Sequence, residues 1–454
     1  MKNTDKTYAL ANEPIGRLIF RLSIPTVAAQ LVNLLYNIVD RIYVGRIPET
    51  GSLSLAGLGV TFPIILMISA VAMLFGTGGA PRAAIAMGKG DNEKAERILN
   101  NAAVMLVIAS IAVSGIFLLS KDWILMRFGA SESTLPYASS YITIYLFGTI
   151  FIQLTLGLNS FITNQGYTGT SMATVCIGAV INIILDPIFI FVFGMGVRGA
   201  ALATVIAQGV SCVWVLCFLT GKKTTLRLRI SKMKLDREII LSIVSLGISP
   251  FVMQSTECLI QLTFNNGMQI YGNDMYVALM SILFSLTQLI WMPMQGFQMG
   301  AQPIVSYNYG AGNYDRVKKA FRMLFMICVI FSVSLIALIE IIPGVFIGMF
   351  TPDAEIISMG KTPVRIFLLG MSVMGAQGAC QQTFLALGEA KVSMFLALLR
   401  KVILLWPLAL ILPHAAGLGI WGLFLAEPIS DFIAAATTTT MFVRRSKKLF
   451  GGIF

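Results

Sequence analysis

Long apolar runs recur along the whole 454-residue chain, and they constrain the fold more than any other feature of the sequence. Each run is about 20 residues long, the length of an α-helix that crosses the hydrocarbon core of a bilayer. Hydrophobic residues make up 56% of the chain and charged residues only 12%, which is about half the charged share of a soluble domain. The sequence therefore predicts an all-α polytopic membrane protein.

Charged and Gly/Pro-rich breaks divide the apolar runs into segments of helical length. They predict twelve transmembrane helices, over residues 15–45, 52–81, 96–119, 134–161, 168–193, 197–219, 238–268, 276–308, 317–343, 357–386, 391–412 and 418–443. The polar N-terminal segment lacks a cleavable signal pattern, so we expect it to be a cytoplasmic lead-in. The six cysteines are scattered through apolar segments without CxxC spacing, which favours packing roles over disulfides or a metal site.

Basic residues are concentrated in the loops on one side of this predicted topology. The clusters that contain Lys2 and Lys6, residues 82–97, residues 222–237, residues 316–322 and residues 444–448 all fall on the side of the N-terminus. Cytoplasmic loops of membrane proteins carry an excess of Lys and Arg. We therefore predict a multi-pass membrane protein with both termini in the cytoplasm. The net charge of +12 is explained by topology, and no nucleic-acid partner is expected.

The sequence repeats itself when it is shifted by about 222 residues. Met87–Arg97 then aligns with Tyr309–Lys319, and with one further residue of shift Gly196–Gln208 aligns with Gly419–Asp431. Each copy contains an even number of spans, so the copies share one orientation and are related by an axis along the membrane normal. This predicts two pseudo-symmetric six-helix bundles, a first lobe over 1–220 and a second lobe over 238–454, joined by a basic cytoplasmic linker over 221–237. Two parallel bundles with a cleft between them suit alternating access.

Carboxylates inside the predicted spans need a specific explanation, because an ionised carboxylate at membrane depth costs several kcal/mol unless it is paired, is hydrated, or binds a proton or cation. They are Asp40, Asp186, Glu257, Glu427 and Asp431. Asp186 precedes Pro187, so one interpretation is that it stabilises a helix kink. The other uses its neighbours: Asn182 lies one turn earlier, and Asp40 comes from the first span of the same repeat. Carboxylates brought together share a proton or bind a cation.

Three motifs carry a family resemblance. "LYNIVDRIYVG" (Leu35–Gly45), "NIILDPIFIFVFG" (Asn182–Gly194) and "GVRGAALATVIAQ" (Gly196–Gln208) follow one another in a doubled twelve-helix chain. Together they resemble the multidrug and toxic compound extrusion (MATE) family, in its DinF-like and MepA-like bacterial branch. The resemblance implies a MATE/MOP-type antiporter of two six-helix lobes, not an enzyme. Inward flow of H+ or Na+ would drive multidrug efflux of bulky, often cationic compounds, a route to antibiotic resistance.

The same resemblance implies a coupling-ion site in the first lobe. Its predicted residues are Asp40, Asn159, Asn182, Asp186 and Thr204, with Asp40, Asn182 and Asp186 as the candidate Na+ ligands and the Ala200 carbonyl as a weaker candidate. No cofactor besides the coupling ion is expected. The other expected partners are organic cations and the membrane lipids, and we expect a monomer.

The second lobe departs from part of the family. Some members carry an essential acid in the tenth helix, and Met371–Gly388 has none. Glu257 is the remaining cleft acid; it either pairs with a substrate cation or accepts a structural hydrogen bond from Gln254 or Gln261. For Glu427 and Asp431 we expect a structural ion network, with Arg400 and Lys401 on the eleventh helix neutralising them. Mixed Gln, Met and aromatic clusters predict the substrate-binding residues as Glu257, Tyr36, Gln288, Met292 and Gln295.

Three other functions stay open at this point. A lipid-linked saccharide flippase of the wider superfamily would share the doubled bundle, but it is expected to have a cationic cleft and often two more helices, whereas Lys and Arg are nearly absent from these spans. A membrane enzyme is disfavoured because the only histidine, His414, lies in an outer loop without a nucleophile or metal-ligand constellation. A passive channel could use the same symmetry without rocking.

Overall fold

The computed structural model describes residues 4–451, apart from the side chains of residues 4–6, 230 and 416. The outer limits of the predicted lobes, at residues 1 and 454, lie outside the described residues, as does Lys2 of the basic N-terminal segment; the Lys6 side chain is likewise not described. All regular elements within the described range are helical.

Over residues 4–451 the chain forms 17 α-helices, eight of them in its first half. They are α1 (Thr4–Asn12), α2 (Ile15–Gly45), α3 (Gly51–Gly88), α4 (Asn92–Arg127), α5 (Leu135–Phe147), α6 (Thr149–Asn164), α7 (Thr168–Pro187) and α8 (Val197–Thr220). A π-helical turn over Ile188–Val192 continues α7, and a 3-10 turn over Ile230–Lys232 lies in the linker.

The second half forms nine more. They are α9 (Arg237–Tyr271), α10 (Asp274–Gly310), α11 (Tyr314–Ile341), α12 (Pro343–Gly348), α13 (Ala354–Leu369), α14 (Met371–Ala386), α15 (Ala390–Leu398), α16 (Trp406–Ile411) and α17 (Ile420–Phe450). A π-helical segment over Leu399–Leu405 joins α15 to α16, and a 3-10 turn over Ala415–Gly417 precedes α17.

The predicted spans are confirmed as apolar helices. Within the described range, 11 helices are long and apolar enough to cross a membrane, and α5 with α6 makes up to 12 if that bent pair is one span. Several helices are longer than the membrane requires, which allows them to tilt or to extend beyond it. The all-α polytopic fold expected from the sequence is therefore correct.

The fourth span differs from its prediction as one helix over 134–161. It bends by 59° between α5 and α6, at Gly148. A Cβ atom at Gly148 would lie 2.4 Å from Cγ2 of Val205 on α8, so α8 can approach this closely only where no side chain is present. Gly370, the equivalent glycine of the second repeat, also separates two helices, α13 and α14, but Ala354–Ala386 counts as one span without a comparable bend.

The N-terminal lead-in is helical, which the sequence analysis did not predict. Helix α1 is held against the end of α10, where Asn308 donates from Nδ2 to the Leu10 carbonyl at 2.9 Å. Arg316 on α11 donates to the carbonyl oxygens of Leu10 at 3.1 Å and Glu13 at 2.8 Å. The lead-in therefore docks onto the second half of the chain.

The two halves exchange their first helical segments. The start of α2, including Leu18 and Leu22, is buried in a core with Ile304, Phe321 and Phe442 of the second half. In the reciprocal direction, residues of the linker and of the start of α9 are buried in the core of the first half; they are Leu226, Leu228, Ile239 and Ile243. Each half thus completes an apolar core that the other half begins.

Small residues allow the two crossings of this exchange to be tight. A Cβ at Gly300 on α10 would lie 2.5 Å from Cα of Ser23 on α2. A Cβ at Gly78 on α3, its equivalent in the first repeat, would lie 2.4 Å from the carbonyl oxygen of Ile243 on α9. The end of the bundle that carries these crossings is therefore closed by direct contact between the two halves.

Candidate functional site

Asp186 lies at the last turn of α7, where the helix changes its winding. Asn182 precedes it by one turn, and both side chains are buried in the first half, with Asp186 fully inaccessible to solvent. The chain continues through Pro187 into the π-helical turn Ile188–Val192. Proline and π-turns both distort a helix and leave main-chain groups free near the distortion. The expected distortion is present, and the carboxylate lies at its edge.

Asn182 connects Asp186 to α8. With its amide nitrogen turned toward Asp186, it donates to Oδ2 at 3.0 Å, and its oxygen accepts from the Thr204 hydroxyl at 3.3 Å. The Thr204 hydroxyl also lies 3.0 Å from the Ala200 carbonyl oxygen on its own helix. Buried polar groups of this kind require partners, and these three side chains supply them to each other across two helices.

Asp40 brings the second carboxylate to the same place from α2. It is 8% exposed, and its carboxyl group lies within hydrogen-bonding reach of the Asp186 carboxyl group. Two ionised carboxylates can only accept, so a direct hydrogen bond between them requires that one of them carry a proton. Oδ1 of Asp40 has no hydrogen-bond partner among the described residues, which leaves an acceptor available for a proton or a cation.

Three tyrosines surround the carboxylates. The hydroxyl groups of Tyr36 on α2 and Tyr141 on α5 both reach the Thr204 hydroxyl. Tyr141 stacks on Tyr145, with ring centroids 6.0 Å apart, and Tyr145 lies close to Asp40. Sequence reasoning assigned Tyr36 to substrate binding and missed the other two, although their spacing of one helical turn on an apolar helix was a usable signal.

Asn159 does not join this cluster. Its Nδ2 donates to the Ser171 carbonyl oxygen at 3.3 Å, and its Oδ1 has no partner among the described residues. It lines a cavity of about 170 Å³ whose walls also include Asn182, Thr204 and Gln208. The structure therefore brings Asp40, Asn182, Asp186 and Thr204 together and places Asn159 in the adjoining cavity.

The residues predicted to bind substrate on α10 share one face of that helix. Gln288, Met292 and Gln295 are half-buried and are spaced by four and three residues, as on a single helical stripe. Met299 continues the stripe; its sulfur accepts from Gln30 Nε2 at 3.2 Å, and the residue lines the first-half cavity. This face of α10 is therefore turned toward the first half.

Glu257 of α9 has a partner that the sequence analysis did not assign to it. Its carboxylate is paired with Lys401 of the π-helical segment and is also within hydrogen-bonding reach of Gln261. The expected ion network with Glu427 and Asp431 is present, but only Arg400 contacts those acids, and Lys401 pairs with Glu257 instead. Adjacent positions of a helix point about 100° apart, so Arg400 faces the acids of α17 while Lys401 faces Glu257 on α9.

Within the part of the chain that the structure describes, no three His, Cys, Asp or Glu side chains converge to hold a metal ion. Arg41, beside Asp40 in sequence, points away and lies over the Phe62 ring, 5.9 Å from its centroid. Adjacent helix positions diverge by about 100°, which is why the Arg41 guanidinium lies on the Phe62 ring and not in an ion pair with Asp40. The site is thus a buried polar cluster with two carboxylates and no nearby base in contact.

Known proteins of similar sequence and fold were found over nearly the whole chain. The multidrug export protein MepA of Staphylococcus aureus (strain MSSA476) is 26% identical over 433 residues, covering 95% of each chain. The MepA protein of Staphylococcus saprophyticus subsp. saprophyticus is 24% identical over the same length. A solved structure described as the outward-facing conformation of a multidrug resistance MATE family transporter of the MOP superfamily superimposes with a TM-score of 0.92 at 24% identity, covering 99% of this chain and 100% of that one.

The family model itself matches the chain twice, as the internal repeat requires. It covers residues 25–188 and 251–411, and each match runs from the first span of one repeat to the end of its fifth, stopping before α8 or α17. The resemblance carried by the three motifs is therefore confirmed, as is the expectation of a transporter and not an enzyme: the chain belongs to the MatE family, the multidrug and toxic compound extrusion transporters.

Proposed function

We propose that this protein is a cation-coupled antiporter of a bacterial cytoplasmic membrane that exports bulky, often cationic organic compounds. The observation that carries the proposal is the meeting of two buried carboxylates from different helices, Asp40 and Asp186, inside one half of the molecule. A pair of acids at membrane depth is costly unless it exchanges a proton or cation. The names of the staphylococcal relatives, multidrug export proteins, supply the class of cargo.

The structure supports an outward-facing state for this proposal. The closed end of the bundle holds the start of α2 and the basic linker, and the positive-inside rule assigns that end, with both termini, to the cytoplasm. The close crossings at Gly78 and Gly300 shut this end. Alternating access then requires that these crossings separate while the other ends of the halves approach each other.

Coupling would act through α2, because this helix contacts both halves. Its inner end is buried against the second half, and Asp40 near its outer end faces Asp186 in the first half. Loading the carboxylate pair removes the repulsion between α2 and α7 and allows the two helices to repack. A change at Asp40 is thereby transmitted to the interface between the halves.

A proton fits this carboxylate pair better than Na+. The two carboxyl groups already lie within hydrogen-bonding reach of each other, an arrangement that one shared proton stabilises. Na+ would have to enter between them and complete its shell of oxygen ligands from neighbouring groups; Asn182 and Thr204 are the nearest candidates. We therefore propose H+ as the coupling ion and keep Na+ as the alternative that the transport assay separates.

The substrate would bind between the halves, against the α10 stripe defined by Gln288, Met292, Gln295 and Met299. Methionine side chains adapt to varied apolar ligands, and amide groups add hydrogen bonds without selecting one charge. The pairing of Glu257 with Lys401 means that a cationic substrate must compete with a built-in cation at that carboxylate. We propose that the transporter works as a monomer surrounded by membrane lipids.

Transport by the purified protein in proteoliposomes tests this function. A fluorescent organic cation is loaded, and its movement is followed after a pH gradient or a Na+ gradient is imposed separately. Accumulation against its own gradient, driven by the pH gradient, is the expected result. Movement only down the dye gradient would show a channel, and movement of lipid-linked saccharides without dye transport would show a flippase.

A further inference from the structure

The second half contains a buried charged cluster at the repeat-equivalent position of the first-half site. In the alignment of Gly196–Gln208 with Gly419–Asp431, Thr204 corresponds to Glu427 and Gln208 to Asp431. Both first-half residues line the cavity beside Asn182. Where that cavity is open in the first half, charged side chains fill the corresponding place in the second half.

The contacts of the cluster divide it into two parts. Arg400 bridges the two acids of α17, with Nε 2.8 Å from Asp431 Oδ1 and Nη2 3.1 Å from Glu427 Oε1. Lys401 pairs with Glu257 of α9. Asp431 is fully buried, Glu427 is 6% exposed and Lys401 is 8% exposed. Glu257 is the member with the most exposed side chain, at 33%, so the cluster is most accessible at this residue.

The charges of this cluster do not balance. Lys401 and Glu257 form one neutral pair, whereas the single guanidinium of Arg400 faces the two carboxylates of Glu427 and Asp431. The charged residues of α13 do not contribute a further base to the cluster. Lys361 lies beside Gly344, Arg365 pairs with Glu340, and the acidic Glu355 lies in the first turn of the helix. On α9 the neighbours Cys258 and Gln261 are uncharged. The described helices α14 and α16 contain no Lys, Arg, Asp or Glu, and α10 contains one such residue, Asp274, at its first position. One negative charge is left over at membrane depth, which is costly.

Asp431 has a carboxylate oxygen that no donor reaches. Its Oδ2 is buried and has no hydrogen-bond partner among the described residues. The atom lies against the break between α13 and α14, where a Cβ at Gly370 would be 2.8 Å away. A buried acceptor without a donor is costly, so this atom is the place in the cluster where a donor is missing.

We propose that Glu427 and Asp431 form a second proton-binding site, which holds one proton between them and makes the five-residue cluster neutral. Proton binding here does not depend on antiport; its use as a second coupling step rests on the function proposed above. Because Glu257 belongs to the same cluster and is its most exposed member, a cationic substrate at Glu257 would favour release of Lys401 toward the acids of α17 and hence loss of the proton.

Infrared spectroscopy of the purified protein in lipid membranes tests the site directly. The measurement is the stretching band of protonated carboxyl groups at neutral pH, identified by its shift in D2O. The background is the D40N/D186N double variant, because it removes the first-half carboxylates. We expect this background to retain a protonated-carboxyl band, and we expect D431N or E427Q added to it to remove the band, since one acid then balances Arg400.

A matched pair of variants separates charge balance from a structural role. E257Q on the same background frees Lys401 to balance the second acid, so the band should disappear although Glu257 itself is not protonated. E257Q/K401Q restores the excess of one negative charge, so the band should return. Size-exclusion chromatography tests whether each variant is folded. If one variant of D431N and E427Q is not folded, the other is used in its place.

The outcomes are distinct. Absence of the band from the D40N/D186N background, or its survival in D431N, E427Q and E257Q, overturns the second site without affecting the proposed antiport. Loss of pH-driven dye transport in the wild-type protein, with the band present and responding as described, contradicts the antiport and leaves the proton site in place.

Discussion

Gly88 and Gly310 occupy equivalent positions of the two repeats, at the ends of α3 and α10. Gly88 lies against the main chain of α10, and Gly310 lies against the main chain of α3. A Cβ at Gly88 would be 2.0 Å from the Tyr307 carbonyl oxygen of α10, and a Cβ at Gly310 would be 2.1 Å from the Ile85 carbonyl oxygen of α3. The last turns of α3 and α10 therefore meet backbone to backbone. This reciprocal contact continues the crossings at Gly78 and Gly300 to the edge of the closed end.

Gly88→Ala should open this end of the bundle, because even a methyl group cannot be placed so close to a carbonyl oxygen. Spin labels at Lys89 and Asn313, in a cysteine-free background, measure the separation of the two helix ends. We expect a longer mean distance than in the parent protein. Gly59→Ala on the same helix is the control, since nothing lies within 4 Å of a Cβ there; a shift in the control equal to that in Gly88→Ala would contradict the proposed contact.

Asp40→Asn and Asp186→Asn should each abolish pH-driven efflux while the protein remains inserted and folded. Each change removes one titratable group but keeps the size of the side chain and its hydrogen-bonding capacity. Dye efflux from proteoliposomes at matched protein content is the measurement. Efflux at the wild-type rate in either variant removes that carboxylate from the coupling mechanism and, for Asp186, leaves the stabilisation of the Pro187 distortion as its role.

Thr204→Val should reduce transport and stability, whereas Thr204→Ser should preserve both. Valine matches the shape of threonine but removes the hydroxyl that Asn182 and the two tyrosine hydroxyls reach, at a cost of about 1–3 kcal/mol for an unsatisfied buried group. Thermal unfolding and dye efflux are measured together. If Val and Ser behave alike, the hydroxyl of Thr204 has no part in the polar cluster.

Glu257→Gln should destabilise the protein, because Lys401 loses its partner; a buried charge left unpaired typically costs about 3–5 kcal/mol, and movement of Lys401 toward the acids of α17 should keep the loss below that range. The exchanged pair, Glu257→Lys with Lys401→Glu, should recover part of this loss. The melting temperature measures the loss in Glu257→Gln and the recovery in the exchanged pair.

The same Glu257→Gln variant should also export cationic dyes less well than neutral ones relative to wild type, and an equal loss for both classes would assign Glu257 a structural role alone.

Dye binding to the purified protein should weaken as the pH falls. A proton shared by Asp40 and Asp186 favours one packing of α2 and α7, a bound drug favours the other, and linkage requires each ligand to weaken the other by the same factor. Coupling of about 1–3 kcal/mol is typical of linked sites. Fluorescence polarisation across a pH series, with a separate Na+ series, provides the measurement. Asp186→Asn should flatten the pH response, and a wild-type affinity that is insensitive to both ions argues against this linkage.

The span count, the all-helical fold and the repeat followed from apolar length and internal similarity, because these depend on local composition. The bend at Gly148 did not, since it depends on how closely Val205 approaches from a helix distant in sequence. The lead-in helix α1 was missed for a related reason: its docking relies on Asn308 and Arg316, about 300 positions away along the chain.

For the candidate site, too, some residues could be predicted from the sequence and some contacts could not. Asp186 and Asn182 were predicted from their spacing on one helix, and Asp40 from its isolation in an apolar span. The partner of Glu257 was not predicted, although Arg400 and Lys401 are adjacent and must point in different directions on a helix. Helical periodicity shows that the two bases diverge, but it cannot show that Lys401 faces α9 and Arg400 faces α17, because that depends on how helices distant in sequence pack.

The exchange of first segments between the halves has a consequence for how the chain matures during synthesis. When the first six spans have emerged, the apolar pocket that receives Leu226, Leu228, Ile239 and Ile243 is still empty, while the start of α2 waits for a partner that is translated last, in α17. Neither half can reach its final packing alone. A chain cut within the linker should therefore yield fragments that are unstable when expressed singly and that recover when they are co-expressed, as complementing halves of one folding unit.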